Sequence, residues 1–279
     1  MVAIQLYPDL GACLLDNASK NLKRELQPLP FWPSLVYFGI PALLFVAGFW
    51  LFMPWLISHG LLPYYAYLFG LGIPLLVLLM ISFVWLRLEG WAISPASLRD
   101  RFRLQRMDGK AWLWSIGALV IGSAIGYGAI SQLSRLLITR GIIPVPASIP
   151  GFMDPASMTD PLLAYNKAVG GLKGNWLPFI GMSLVFLFNI LGEEFWWSGV
   201  VLPRQELAFG KWTWVVHGTM WAFFHIFKWW DVLSLLPICL ALAFVCSRLK
   251  NATPGIVIHG ITNGIALIPL LLGVLGMLR

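Results

Sequence analysis

The chain has 279 residues, 59% of them hydrophobic and only 11% charged, with 15 tryptophans and a mean hydropathy of +0.79. About a quarter of the residues in an ordinary soluble domain are charged, so the composition excludes that class. The formal net charge of +7 does not call for a nucleic-acid partner, because Lys and Arg accumulate in the cytoplasmic loops of membrane proteins. We therefore predict an all-α, polytopic integral membrane protein that contacts the lipid bilayer.

The first 31 residues precede the long apolar runs and carry Lys20, Lys23 and Arg24. They lack the short apolar core of a cleavable signal peptide. We interpret 1–31 as a cytoplasmic segment.

Seven apolar runs follow, each close to the ~20 residues that cross a bilayer. They cover 36–57, 61–86, 111–133, 176–201, 212–227, 233–249 and 256–278. We expect seven to eight transmembrane helices in a single domain, 1–279, with N-terminal helices in 32–134, a loop in 135–175 and a C-terminal core in 176–279. The loop is rich in Pro and Gly, which indicates an irregular external connection.

The distribution of positive charge predicts the orientation. A cytoplasmic N-terminus places 13 of the 19 Lys and Arg residues on the cytoplasmic side and six on the other. Because positive residues are enriched inside, we expect the N-terminus in the cytoplasm and the protein in the cell's inner (plasma) membrane. The densest basic cluster, 99–110, is interpreted as an orientation signal that contacts anionic lipid, with a docking surface as the alternative.

The glycine pair and the cysteines of the chain indicate helix packing and no catalytic or metal-binding role. Gly122 and Gly126 form a GxxxG pair, which favours close approach of two helices. Cys239 and Cys246 are seven residues apart on one predicted helix, so they rise ~10 Å and cannot form a disulfide with each other. Cys13 has no evident partner, and we predict no disulfide and no thiolate metal site.

Polar side chains within predicted spans are costly and are therefore candidates for function. In the last four spans they are Asn189, Glu193, Glu194, His217, His225, His259 and Asn263.

His259 and Asn263 are four residues apart and share one face of a helix. Two hydrogen-bond donors on one apolar helix can together stabilise an oxyanion. The alternative is a purely structural hydrogen bond between helices.

Glu193 and Glu194 differ by about 100° around a helix, so they cannot face one cavity equally. One of them can act in a site while the other pairs elsewhere, since a carboxylate in a low-dielectric pocket is a competent base. The alternative places the two glutamates among the cytoplasmic lipid headgroups.

Two histidines lie on the next predicted span. His225 can orient water or bind a metal, or it can lie at the membrane interface, whereas His217 is interpreted as structural.

Taken together, Glu193, His225, His259 and Asn263 supply a base, a water-holding imidazole and two oxyanion donors. This set predicts hydrolysis of an amide by water, without a covalent intermediate.

Three motifs, EEFWWSG, WAFFH and HGITN, follow one another on successive predicted spans. In these residues the sequence resembles the CAAX-protease and bacteriocin-processing (CPBP, or Abi) family of intramembrane glutamic endopeptidases. The family pattern is a Glu-Glu pair with an Arg four residues later, then Phe-x-x-x-His and His-x-x-x-Asn. The resemblance covers about 191–269.

The resemblance implies a membrane protease whose core is 176–279. It implies that Glu193 and His225 activate water, while His259 and Asn263 stabilise the oxyanion. Two Glu and two His can also bind zinc, but no HExxH spacing is present and we favour a metal-free site without a cofactor. The implied substrate is a membrane-associated peptide or protein, either a CAAX-type tail or a peptide precursor.

The sequence departs from the family pattern at two supporting positions. Trp221 replaces the Phe and is expected to preserve an apolar wedge. Ser198 replaces the Arg, so Glu194 lacks a local counter-ion. Three outcomes are open: Glu194 is protonated, it pairs with a basic residue from another span, or the enzyme is impaired.

Two other functions compete with the protease. One is a catalytically weak relative that confers immunity to a peptide toxin or acts as a scaffold, and the other is a transporter with a proton relay.

Overall fold

The computed structural model describes residues 25–155 and 161–277. Within them it contains helices and connecting turns and no strand, which confirms the predicted all-α class. The helices are α1 Phe31–Ser58, α2 Pro63–Leu88, α3 Pro95–Arg101, α4 Gly109–Thr139, α5 Pro161–Val169, α6 Leu177–Glu194, α7 Leu202–Phe209, α8 Thr213–Phe224, α9 Val232–Leu249, α10 Thr253–Gly264 and α11 Leu267–Val274. Residues 1–24 of the predicted segment 1–31, Cys13 among them, lie outside the described residues.

Four helical runs of the described chain are long and apolar enough to cross a membrane, and a bent pair makes a fifth. They are α1, α2, α4 and the run Leu177–Leu249, and the pair is α10 and α11, which meet at 46°. The protein is thus an integral membrane protein. The predicted count of seven to eight spans is not confirmed and stays a prediction, as do the cytoplasmic N-terminus and the inner membrane.

The run Leu177–Leu249 contains 73 residues, which would measure ~110 Å as one straight helix. The backbone turns at Gly210, where φ is 54°, and at Lys228, where φ is −127° and ψ is 63°. Positive φ is favourable for Gly because it has no Cβ. The run therefore folds back on itself, and α8 packs along α9.

The predicted end of the fourth span at position 201 is wrong. The helix continues from α6 through a π-helical turn, Phe195–Val201, into α7 and ends at Phe209. Glu193 is therefore followed by ~24 Å of helix before the chain reverses. This extra length lets α8 return to the level of Glu193, so the acidic pair can meet side chains from α8.

Two π-helical turns interrupt otherwise α-helical segments near the C-terminal core. Ala124–Ile130 lies within α4, and all seven residues of Phe195–Val201 are buried. Such π turns occur frequently at functional sites.

The predicted close approach at Gly122 and Gly126 is confirmed. A Cβ on Gly122 would lie 2.9 Å from Ile238 Cδ1, and one on Gly126 would lie 2.5 Å from the carbonyl oxygen of Ser234. Both contacts are with α9, so α4 packs against the C-terminal core without room for larger side chains.

The connection 135–175 is only partly irregular. Helix α4 extends to Thr139, and α5 forms near the end of the connection. Phe152, Val169 and Leu172 are buried in an apolar cluster with Tyr64 of α2. The segment packs on the helices because this removes its apolar side chains from solvent.

A buried ionic cluster joins α3, α7 and the end of α2. Arg101 forms a bidentate pair with Glu89, Arg204 pairs with the same carboxylate, and all three residues are at most 9% exposed. Arg101 Nη1 also donates to the carbonyl oxygen of Gly199 at 2.7 Å.

The predicted contact of the basic cluster 99–110 with anionic lipid is wrong for Arg101, which is buried, and Arg103 has a carboxylate partner. Arg101 pairs with Glu89, and Arg103 Nη1 lies 2.8 Å from Glu206 Oε2. The carboxylates that neutralise them are distant in the sequence, so local charge density could not reveal the pairs.

Replacing Glu89 by Gln should destabilise the protein by about 3–5 kcal/mol, because it leaves two guanidinium groups buried without a counter-charge. The measurement is the thermal unfolding midpoint of the purified protein in detergent. Asp100→Asn is the control, since Asp100 pairs with Arg99 at an exposed position. Equal midpoints for the two variants would contradict the prediction.

Candidate active site

The acidic pair ends α6 and is buried, with Glu193 2% and Glu194 0% exposed. Adjacent helical residues point about 100° apart, and the two carboxylates have different partners. Trp221 Nε1 donates to Glu193 Oε2 at 2.8 Å, and Asn189 Nδ2 donates to Glu193 Oε1 at 2.6 Å. Each oxygen of Glu193 thus accepts one hydrogen bond.

Glu194 is held by a second set of donors. Ser198 Oγ donates to Glu194 Oε2 at 2.7 Å, and His259 Nδ1 lies 3.1 Å from Glu194 Oε1. The basic partner of Glu194 therefore comes from α10, one of the three alternatives that the missing Arg left open. Arg204 pairs with Glu89 instead.

Gly255 of α10 provides the space that Glu194 needs. A Cβ at this position would lie 2.3 Å from Glu194 Oε2 and 3.0 Å from Cys246 Sγ. The glycine lets α10 approach α6 closely enough for His259 to reach the carboxylate.

His225 follows α8 at the start of a 3₁₀ turn, His225–Asp231. Its Nδ1 lies 3.0 Å from the carbonyl oxygen of Trp221. A backbone carbonyl only accepts hydrogen bonds, so Nδ1 carries the hydrogen and the lone pair of the neutral ring is on Nε2.

Asn263 is linked to Glu193 through a second amide. Asn263 Nδ2 donates to Asn189 Oδ1 at 2.6 Å, and Asn189 in turn donates to Glu193. A primary amide has two N–H groups, so Asn263 keeps one donor for another partner.

A cavity of about 50 Å³ lies where these helices meet. It is large enough for more than one water molecule. Its lining consists of Tyr127, Trp221, His225, Leu235, Ile238, Cys239, Leu242, His259, Thr262 and Asn263.

Three of the four predicted catalytic residues, His225, His259 and Asn263, line this cavity directly. Glu193 adjoins it through Trp221 and the Asn189–Asn263 link. Ser198 does not line the cavity and is connected with it through Glu194, which His259 contacts.

Some members of the site were missed or misread in the sequence. Trp221 is a hydrogen-bond donor to Glu193 and not merely an apolar wedge. Asn189 donates a hydrogen bond to Glu193, and the spacing of four residues along one helix indicates that the two side chains can meet. Tyr127 comes from α4, and no sequence signal connects it with motifs about seventy to one hundred and thirty residues later.

Other candidate groups lie outside the catalytic arrangement. His217 is fully buried and its Nδ1 lies 2.6 Å from Gln205 Oε1, a contact between α8 and α7 that fits the structural interpretation. Cys239 and Cys246 are free thiols. Within 25–155 and 161–277, no group of three or more His, Cys, Asp and Glu side chains is arranged to hold a metal ion.

Substitution of Gly255 by Ala should destabilise the protein by about 1–3 kcal/mol, because the added methyl group overlaps the Glu194 carboxylate. Gly260→Ala on the same helix is the matched control. A Cβ at Gly260 meets no atom within 4 Å, so Ala there should stabilise α10 by up to about 1 kcal/mol. Unfolding midpoints measure both effects, and a shift of the same sign in both variants would refute the assignment of Gly255.

Residues 175–265 match the model of the Rce1-like family, described as type II CAAX prenyl endopeptidase Rce1-like. The match covers about a third of the chain and contains both glutamates, His225, His259 and Asn263. No solved structure matches the chain. The segment 175–265 is thus an Rce1-like domain of the CAAX-protease family, which implies the activity of a CAAX intramembrane endopeptidase.

Proposed function

We propose that the protein is a glutamic intramembrane endopeptidase that hydrolyses a peptide bond with water activated by Glu193. The observation that carries the proposal is the position of the Glu193 carboxylate, hydrogen-bonded to the wall of a cavity that His225, His259 and Asn263 line.

The proposed water activation uses two acceptors, Glu193 beside the cavity and His225 in its lining. A carboxylate has about four lone-pair sites, and Glu193 uses two of them for Trp221 and Asn189. The remaining sites can accept a hydrogen bond from water, and Nε2 of His225 can accept another. Glu193 then takes the proton as the water oxygen attacks the carbonyl carbon, and later delivers it to the leaving amine.

In this mechanism two side chains of α10, His259 and Asn263, stabilise the oxyanion. The second N–H of Asn263 is available, and the Glu194 carboxylate beside His259 stabilises the charged imidazolium electrostatically. Charged His259 donates from Nε2. Two donors 2.7–3.1 Å from the developing oxyanion typically contribute a large part of acyl-transfer catalysis.

The alternative function, a catalytically weak relative that acts in toxin immunity or as a scaffold, depends on Ser198 in place of Arg. Ser198 and His259 both bond Glu194, so the loss of the Arg does not leave this carboxylate without partners. This geometry favours the enzyme over the alternative.

The substrate follows from the family and the setting. The Rce1-like description names prenyl CAAX endopeptidases, and prenylation attaches a lipid to the Cys of a C-terminal Cys-a-a-X sequence. A membrane-embedded site suits such a lipid-anchored tail. A membrane-associated peptide precursor is the other member of the proposed substrate class.

Glu193→Gln should lower kcat by about 10²–10⁴-fold, the range lost when a general base is removed. The assay uses purified protein in liposomes and a fluorogenic peptide that ends in a prenylated Cys-a-a-X sequence. Asp100→Asn, which removes an exposed acid, should retain full activity. Undiminished cleavage by the Glu193→Gln variant would rule out Glu193 as the base, and absence of cleavage by the unmodified protein would favour the immunity or scaffold function.

Removal of metal should leave cleavage unchanged, since the proposed water activation uses only side chains. The measurement compares initial rates before and after treatment with a chelator, and again after addition of zinc. Loss of activity with chelator and its recovery with zinc would overturn the metal-free, cofactor-free mechanism.

A further inference from the structure

We infer that Tyr127, on α4, is a substrate-binding residue at the rim of the cavity. The inference rests on the proposed function and extends the site beyond the family-matched segment 175–265 to the N-terminal half of the chain.

Exposure places Tyr127 at the rim. The side chain is 44% exposed, whereas Trp221 and His259, which line the same cavity, are 2% and 9% exposed. Among the lining residues only Tyr127 falls in the exposed class. Tyr127 is therefore the cavity-lining side chain that is most accessible from outside the helices.

The backbone of α4 fixes this position. Tyr127 belongs to the π-helical turn Ala124–Ile130, which inserts an extra residue per turn and changes the direction of the side chains. Its neighbour Gly126 packs on the carbonyl oxygen of Ser234, and the hydroxyl groups of Ser134 and Ser234 lie 3.2 Å apart. Contacts on both sides of Tyr127 thus hold this part of α4 against α9.

The part of the cavity lining that lies beside Tyr127 suits an aliphatic side chain of a bound peptide. Leu235, Ile238 and Leu242 form an apolar wall on α9. The phenol ring of Tyr127 adds apolar surface, and its hydroxyl group both donates and accepts hydrogen bonds. Within the described residues the hydroxyl has no hydrogen-bond partner, so it is free to bind the peptide backbone.

The kinetic test compares two substitutions at Tyr127 with a neighbour. Tyr127→Ala should raise KM for the prenylated Cys-a-a-X peptide by about five- to thirtyfold while kcat changes less than about twofold, as expected for the loss of one binding contact. Tyr127→Phe removes only the hydroxyl and should raise KM by a smaller factor. Ile125→Ala is the control, because Ile125 is 46% exposed in the same π turn but does not line the cavity.

A KM of Tyr127→Ala equal to that of Ile125→Ala would overturn the inference. A fall in kcat with unchanged KM would also overturn it, since that result indicates a structural or catalytic effect.

Photo-cross-linking separates this inference from the proposed function. A benzophenone amino acid is placed at position 127 or 125 in the Glu193→Gln protein, which is then irradiated with the same peptide. Cross-linking at 127 well above that at 125 supports peptide binding at the rim even if the unmodified protein cleaves nothing. Equal yields at the two positions would refute it even if Glu193 proves essential for cleavage.

Discussion

The C-terminal core is organised around two carboxylates buried side by side in an apolar protein. A buried carboxylate without donors is costly, so Glu193 and Glu194 require partners that their own helix supplies only in part. Asn189 and Ser198 come from the same continuous helix, but Trp221 comes from α8 and His259 from α10. The two acids therefore connect α6 to both α8 and α10. His225, which follows α8, and His259 and Asn263 of α10 line the cavity beside Glu193.

Adjacent residues on a helix point about 100° apart, so Glu193 and Glu194 contact different partners. Glu193 faces Trp221 and the amide link to Asn263, whereas Glu194 faces His259. In the proposed mechanism the first carboxylate handles the proton of water and the second maintains the charge of an oxyanion donor. Glu194 keeps partners although Ser198 stands at the family's Arg position. An imidazole from another helix lies within hydrogen-bond distance of Glu194, and the Ser198 hydroxyl group donates to the same carboxylate.

The N-terminal half contributes to the core and is more than a set of lipid-facing helices. Phe38 of α1 stacks on the fully buried Trp197, with ring centroids 4.3 Å apart. Arg101, paired with Glu89, donates to the carbonyl of Gly199 within the π turn that follows the acidic pair. Helix α4 reaches the cavity with Tyr127. The family-matched segment is therefore held in place by contacts from outside it.

The amino-acid sequence by itself determined the class of the protein, since an apolar composition forces helices to satisfy their own backbone groups in a membrane. It also determined the candidate residues, because Glu193, His225, His259 and Asn263 are conspicuous polar groups in apolar runs, and the GxxxG pair indicated close packing. Only the tertiary structure decided the continuation of the helix to Phe209, the pairing of Glu194 with His259, the indole donor to Glu193, the burial of Arg101 and the arrival of Tyr127 at the cavity. These features join residues far apart in the chain, and spacing along one helix carries no information about which other helix will face it.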